Sequence, residues 1–98
     1  MPRVRTHPGE VLSEEFIVPL GLSARRVAED IDVPANRLSE IIRGRRGVTA
    51  DTAHRLAAYF DTTPQFWINL QVAHDLSEAE ATHDYSSLRR RRVLEPAY

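Results

Sequence analysis

Residues 24–43 read ARRVAEDIDVPANRLSEIIR, and the fold turns on how this stretch divides. Val27, Ala28 and Ile31 recur at helical spacing, and so do Leu38, Ile41 and Ile42, so each half carries one apolar stripe. Asp32-Val33-Pro34 interrupts the pattern between them. Pro34 suits a first helical turn, where no backbone donor is needed, and Asp32 is among the few non-glycine residues that tolerate a left-handed backbone. Two short helices joined by a tight turn are the sequence form of a helix-turn-helix. Ala28 supports the reading, because helices crossing at close range need a small side chain at the contact. At about 100° per residue, Asn36, Glu40 and Arg43 fall opposite Leu38, Ile41 and Ile42, with Arg37 and Ser39 on the flanks. Such an outward polar face is one that can read a duplex major groove.

Working outward, a first helix is predicted from about Pro8 to Val18, with Val11, Leu12, Phe16 and Leu20 turned inward and Pro19 and Gly21 ending it. Ser23 caps the second helix, which runs to about Ile31; the third spans Pro34 to Arg43, and Gly44 stops it in the C′ position. After the loop RGRRGV, Thr49 opens a fourth helix over residues 50–60, with Ala53, Leu56, Ala57 and Phe60 inside. Asp61-Thr62-Thr63-Pro64 starts a fifth, reaching about Glu80 and using Phe66, Trp67, Leu70, Ala73 and Leu76. No strand is expected in the first 80 residues, and the tail beyond is expected either to be disordered or to add an edge to a partner. The organisation is a loose arm (1–6), an all-α, five-helix bundle containing the helix-turn-helix (7–81, motif 24–43) and an irregular C-terminal tail (82–98). In that tail Asp84-Tyr85-Ser86-Ser87 is turn-like, residues 89–92 are arginines, and Val93-Leu94 is the last apolar pair before Glu95-Pro96, too little to bury independently.

Composition narrows the classes. Ninety-eight residues with 42% apolar content build one modest core and no second domain. The absence of cysteine excludes a disulfide framework and thiolate metal ligands, and fits a reducing cytosol. The opening MPRVRTHPGE has basic residues without an apolar segment behind them, and no run approaches a membrane span, so a cytoplasmic protein is expected. The net charge of −1 conceals an uneven distribution. Between Val33 and Thr49 stand Arg37, Arg43, Arg45 and Arg46 against the single acid Glu40, whereas His74 to Asp84 carries Asp75, Glu78, Glu80 and Asp84 and no arginine. All 13 basic residues are arginine, which suits bidentate phosphate contacts and is equally the mark of a GC-rich genome.

Catalytic chemistry finds no support. His7, His54, His74 and His83 lack metal-ligand spacing, and His7 before Pro8-Gly9-Glu10 reads as a helix entry. Glu14 and Glu15 are neighbours and diverge on a helix, which disfavours a shared acid/base site. There is no nucleophile elbow, phosphate loop or dinucleotide fingerprint, so no enzyme, metal or cofactor is expected. Phe66, Trp67 and Leu70 read as core in preference to a partner-binding stripe. Arg45 and Arg46, just past the end of the reading helix, are read as phosphate contacts over the alternative of a solvated pair. Glu40 either accepts from a cytosine amino group or pairs with Arg37 or Arg43, and the pairing is the favoured reading.

HPGEVLSEEF at 7–16, LGLS, PANRLSEIIRGRRGVTADTAHRLAAYF and TTPQFWINLQVAHDL together resemble the HigA antitoxins, a branch of the Xre-like helix-turn-helix family, over about residues 7–82. The resemblance implies a lambda-repressor-like DNA-binding fold in a cytoplasmic homodimer. It implies a protein that binds a palindromic operator, represses its own operon and neutralises a HigB-type toxin, a messenger-RNA endonuclease. Asp32 stands where helix-turn-helix proteins commonly have glycine, and the tail after Thr82 has no strong motif match. On this reading Asn36, with Ala35 and Glu40, faces base edges, while Ser23, Arg37, Ser39, Arg43, Arg45 and Arg46 hold phosphates of double-stranded DNA. A stand-alone regulator without a toxin, and a protein-binding module with a positive face, are the alternatives.

Overall fold

In the computed structural model, which describes residues 4–91, the chain forms α1 (Pro8–Val11), a π-helical segment continuing it (Leu12–Ile17), α2 (Ala24–Ile31), α3 (Ala35–Ile42), α4 (Ala50–Phe60) and α5 (Pro64–Thr82). The described residues contain no strand, and the all-α, five-helix architecture expected from the sequence is the one found. Each helix start has a local cause. The side chains of His7, Ser23, Thr49 and Thr63 accept hydrogen bonds from the backbone of Gly9, Arg26, Thr52 and Phe66 at the starts of α1, α2, α4 and α5. Only Pro34 departs: it is extended (ψ 140°) and precedes α3 without a side-chain cap, so α3 begins one residue later than its expected first turn.

Four helix ends close alike, on left-handed residues: Gly21 (φ 66°), Asp32 (φ 59°), Gly44 (φ 75°) and Asp61 (φ 56°). The next amide in each case reaches back six-to-one, Leu22 to the carbonyl of Ile17, Val33 to Ala28, Arg45 to Glu40 and Thr62 to Ala57, at 2.9–3.0 Å. These are Schellman closures, which satisfy carbonyls that a helix end would otherwise leave without a partner.

The buried core joins Leu12 and Ile17 to Val27, Ala28 and Ile31 of α2, Leu38 and Ile41 of α3, Val48, Ala53, Leu56 and Ala57, and Trp67. Trp67 is fully buried and its indole N–H donates to Thr62 Oγ1 at 2.8 Å, so its polar edge is satisfied as well as its faces. Phe16 packs among Phe60, Trp67 and Phe66 at 5.0–6.2 Å between ring centroids, which supports the core reading of the aromatic set, with Phe66 at its solvent edge.

Three expectations are corrected. Leu20 is 60% exposed: the wide turn, in which Val18 N–H bonds five residues back to Ser13, puts Leu12 and Ile17 inward and carries Leu20 past the core. Pro19, which has no N–H to give, follows directly. Leu76 is 61% exposed, because the inner face of α5 runs instead through Trp67, Gln71, His74 and Ser77. Those polar side chains hold the chain at Arg5, which is tied down although the segment around it was expected to be loose: Arg5 N–H donates to Ser77 Oγ at 2.8 Å, and His74 Nδ1 donates to the Arg5 carbonyl at 2.8 Å. The turn expected at Asp84 is present, with Ser86 N–H on Asp84 Oδ1, while Val93 to Pro96 lie outside the described residues.

Of the four glycines, Gly9 is the most closely packed. A Cβ there would stand 1.8 Å from the carbonyl oxygen of Ile41, so α1 crosses the end of α3 at a distance only glycine allows. Gly9→Ala is expected to cost more than about 3 kcal/mol, beyond ordinary overpacking, because the obstacle is backbone; urea denaturation measures it, and an unshifted midpoint would contradict the close approach.

His7 makes the cap of α1 sensitive to pH. Its Nδ1 accepts from Gly9 N–H at 2.9 Å, its ring meets that of His74 edge-on at 4.8 Å, and burial first, then His74, lower its pKa below the ordinary 6.5, against a partial opposing pull from Asp75 and Glu78. Below that value the unfolded chain binds a proton that the folded chain resists, so this contribution to stability is complete above about 6.5 and is lost as pH falls through the window beneath it. Thermal melts between neutral and mildly acidic pH are expected to show that decline, and His7→Asn, which keeps a capping acceptor without a titrating ring, is expected to flatten it.

Candidate nucleic-acid interface

The placement of α3 follows from what holds its two ends. At the front, the turn at Asp32 is fastened from α4: Arg55 Nη1 donates to the carbonyls of Ile31 (2.9 Å) and Asp32 (3.4 Å), and Arg55 Nε to Asp51 Oδ2 (2.9 Å). Asp51 also stands 3.7 Å from Arg37 of α3. At the back, Gly9 brings α1 against Ile41. Helix α2 is braced against α4 by Tyr59, whose hydroxyl donates to Asp30 Oδ2 at 2.6 Å; that bond, more than the neighbouring Arg26, holds the Asp30 carboxyl below the ordinary carboxylate range, and Asp30 in turn raises Arg26.

So supported, α3 turns Leu38 and Ile41 inward and leaves Ala35, Asn36 and Arg43 exposed, with Ser39 and Glu40 half-buried between them. Among the described residues the Asn36 carboxamide has no intramolecular hydrogen bond, while its backbone carbonyl accepts from Ser39 Oγ at 3.2 Å. Arg43 and Arg45 are likewise exposed and have no carboxylate partner among the described residues. Arg46 does: its Nη2 lies 3.2 Å from Glu40 Oε1. This corrects the expectation that Glu40 pairs with Arg37 or Arg43. The left-handed Gly44 reverses the chain and returns Arg46 over Glu40, while Arg37 faces Asp51. Arg37, Arg46, Gly47, Thr49, Asp51 and Thr52 line a cleft of about 190 Å³ beside this face. Ser23, on the start of α2, has its Oγ committed to the Arg26 amide as a cap.

Three residues that organise the site escaped the sequence reading. Arg55 on α4 and Gln71 on α5 are not singled out by the sequence, since neither apolar periodicity nor charge segregation marks a side chain that bonds to distant backbone. Gly9 left a trace, a glycine inside a first helical turn, where any better helix former would serve unless space forbade it. Exposed donors on a short helix, with arginines on the loop that follows, match phosphate and base-edge recognition in type. Among the described residues no helix is long and apolar enough to cross a membrane.

Comparison with known proteins agrees with this geometry. The sequence profile of the helix-turn-helix family matches residues 14–67. Virulence-associated protein I of Dichelobacter nodosus is 50% identical over 80 residues, spanning 82% of this chain and 72% of the relative. The structure of Pseudomonas aeruginosa antitoxin HigA with the higBA promoter superposes with a TM-score of 0.77 at 43% identity, covering 81% of this chain and 85% of that one. Antitoxin GraA in complex with its operator gives 0.85 at 42% identity, over 95% and 97%. Sequence, turn geometry and these likenesses converge: the chain belongs to the Xre-like helix-turn-helix family that includes the HigA antitoxins.

Proposed function

We propose that this protein is an antitoxin and autorepressor, which binds an operator as a dimer through α3 and the loop behind it and neutralises a HigB-type messenger-RNA endonuclease. The observation that carries the DNA-binding part is the outward face of α3, where Asn36 is exposed and uncommitted beside Arg43 and the Arg45-Arg46 loop. Asn36 meets an adenine edge through N6 and N7, with Ala35 and Glu40 beside it; Arg37, Ser39, Arg43, Arg45, Arg46 and the start of α2 at Ser23 contact phosphates. Two solved relatives bound to a promoter and an operator support this reading. One short helix buries little surface, which favours a dimer on an inverted repeat with half-sites about 34–36 Å apart.

Titration of variants against operator and scrambled duplexes at several salt concentrations tests the roles. Asn36→Ala is expected to cost about 1–3 kcal/mol on the operator and to relax one base-pair position, with the salt dependence unchanged. Arg45→Ala with Arg46→Ala is expected to weaken both duplexes and to lower the salt slope by up to about one unit for each phosphate that a half-site no longer neutralises. The opposite assignment of effects would overturn the docking.

The antitoxin part has a separate surface to draw on. Asp75, Glu78 and Glu80 are exposed on α5, and Glu10, Glu14 and Glu15, with Arg5 as the one cation, line a cleft of about 400 Å³ together with Val11, Leu70 and Ala73, a net negative charge complementary to a basic toxin. A folded Asn36→Ala, Arg45→Ala, Arg46→Ala variant is therefore expected to lose operator binding and still rescue growth of cells expressing the partner toxin. Loss of rescue would mean that one surface serves both.

A further inference from the structure

We propose that Gln71, on α5, is a positioning residue for DNA binding, which fixes the loop carrying Arg45 and Arg46 against the body of the domain. The inference rests on the reading of that loop as a phosphate contact. The loop is pinned at both ends. It leaves α3 through Gly44, where the Gly44 and Arg45 amides bond back to Ile41 and Glu40 at 3.0 and 2.9 Å. It ends at Val48, whose side chain is buried and whose N–H donates to Gln71 Oε1 at 2.7 Å, although the two residues are 23 positions apart. Gly47 lies so near that a Cβ on it would stand 3.1 Å from the Gln71 carboxamide.

The carboxamide has one orientation that satisfies both neighbours. Val48 offers only a donor and Asp75 only acceptors, so Oε1 must face the loop and Nε2 must face Asp75 Oδ1, which it meets at 2.9 Å. Arg45 and Arg46 thus hang from a short span between two fixed points, and a half-buried side chain of α5 sets where their backbone lies. Phosphate contacts reward that fixity, since they register a protein on the duplex without reading its bases. Gln71 touches no nucleic acid in this arrangement and acts only through the arginines.

The test measures binding of the full chain to operator and scrambled duplexes by fluorescence anisotropy across salt concentrations. Gln71→Leu is expected to weaken both duplexes by about tenfold, the order of one neutral hydrogen bond, to lower the salt slope, and to leave base preference intact. In the Arg45→Ala, Arg46→Ala background the same substitution is expected to have no further effect. The pair Gln71→Glu with Asp75→Asn, which rebuilds an acceptor for Val48 and a donor–acceptor contact behind it, is expected to restore most of the affinity. Asp75→Ala, which keeps the Val48 acceptor and only frees the carboxamide to turn, serves if Gln71→Leu fails to fold, with a smaller weakening in the same direction. Equal weakening by Gln71→Leu with and without the arginines would overturn the proposal, as would full affinity in Gln71→Leu or in Asp75→Ala. If the double arginine variant alone binds normally, the phosphate reading of the loop falls, and this role of Gln71 with it.

Discussion

The left-handed turn at Asp32 is the constraint on which the functional face depends. With φ 59° and ψ 52°, it lets the Val33 amide return to Ala28 and the Asp32 amide to Glu29, so α2 ends and α3 begins within the space of three residues. Ala28 and Val33 are both buried, the apolar contact that accompanies such closures. A side chain other than glycine in this conformation costs about 1–2 kcal/mol in general, and aspartate is among the few that bear it. Arg55 then fastens the carbonyls of Ile31 and Asp32 at the turn, and Asp51 links Arg55 to Arg37 on α3. The angle at which Asn36 and Arg43 leave the surface is therefore set by backbone hydrogen bonds and one charged clasp, with little left to the exposed side chains themselves.

A second theme is the polar inner face of α5. Where a helix buries an apolar stripe it can pack only against other stripes, yet the arm at Arg5 and the loop at Val48 have no regular structure and bring backbone groups that need partners. Gln71, His74 and Ser77 supply them, at 2.7–2.8 Å, from consecutive turns of one helix. The longest helix of the domain thus serves as a spine to which irregular segments are attached by specific bonds. It also explains why α5 shows Leu76 and Val72 to solvent while burying a serine.

Charge is arranged by the same logic of distant partners. The arginines after Val33 gather on α3 and its loop, and two of them are steadied by acids, Arg46 by Glu40 and Arg37 by Asp51. Exposed pairs of this kind contribute little to stability. Their effect here is on direction: a guanidinium held by a carboxylate presents its remaining donors along a preferred line. Arg43 and Arg45, without such partners among the described residues, keep their full charge available.

The residues alone determined the features that have local causes. Ser23, Thr49 and Thr63 announce helix starts because a hydroxyl can accept from an amide three residues on; Gly44 and Asp32 announce helix ends because few residues adopt a positive φ; and the stripes of α2 to α4 follow from helical periodicity. Motif spacing extended this to the family. The tertiary structure alone decided what depends on residues far apart in the chain. Glu40 met Arg46 because Gly44 reversed the path; Leu20 missed the core because a wide π turn shifted the register by one residue; Gln71, His74 and Ser77 turned inward because distant backbone needed hydrogen bonds; and Gly9 was indispensable because Ile41 lay 1.8 Å from where a Cβ would go. Periodicity records burial of apolar surface and is silent on polar groups buried to satisfy a backbone, and for that physical reason the outward polar face of α3 was legible in the sequence while the bonds that hold it in place were not.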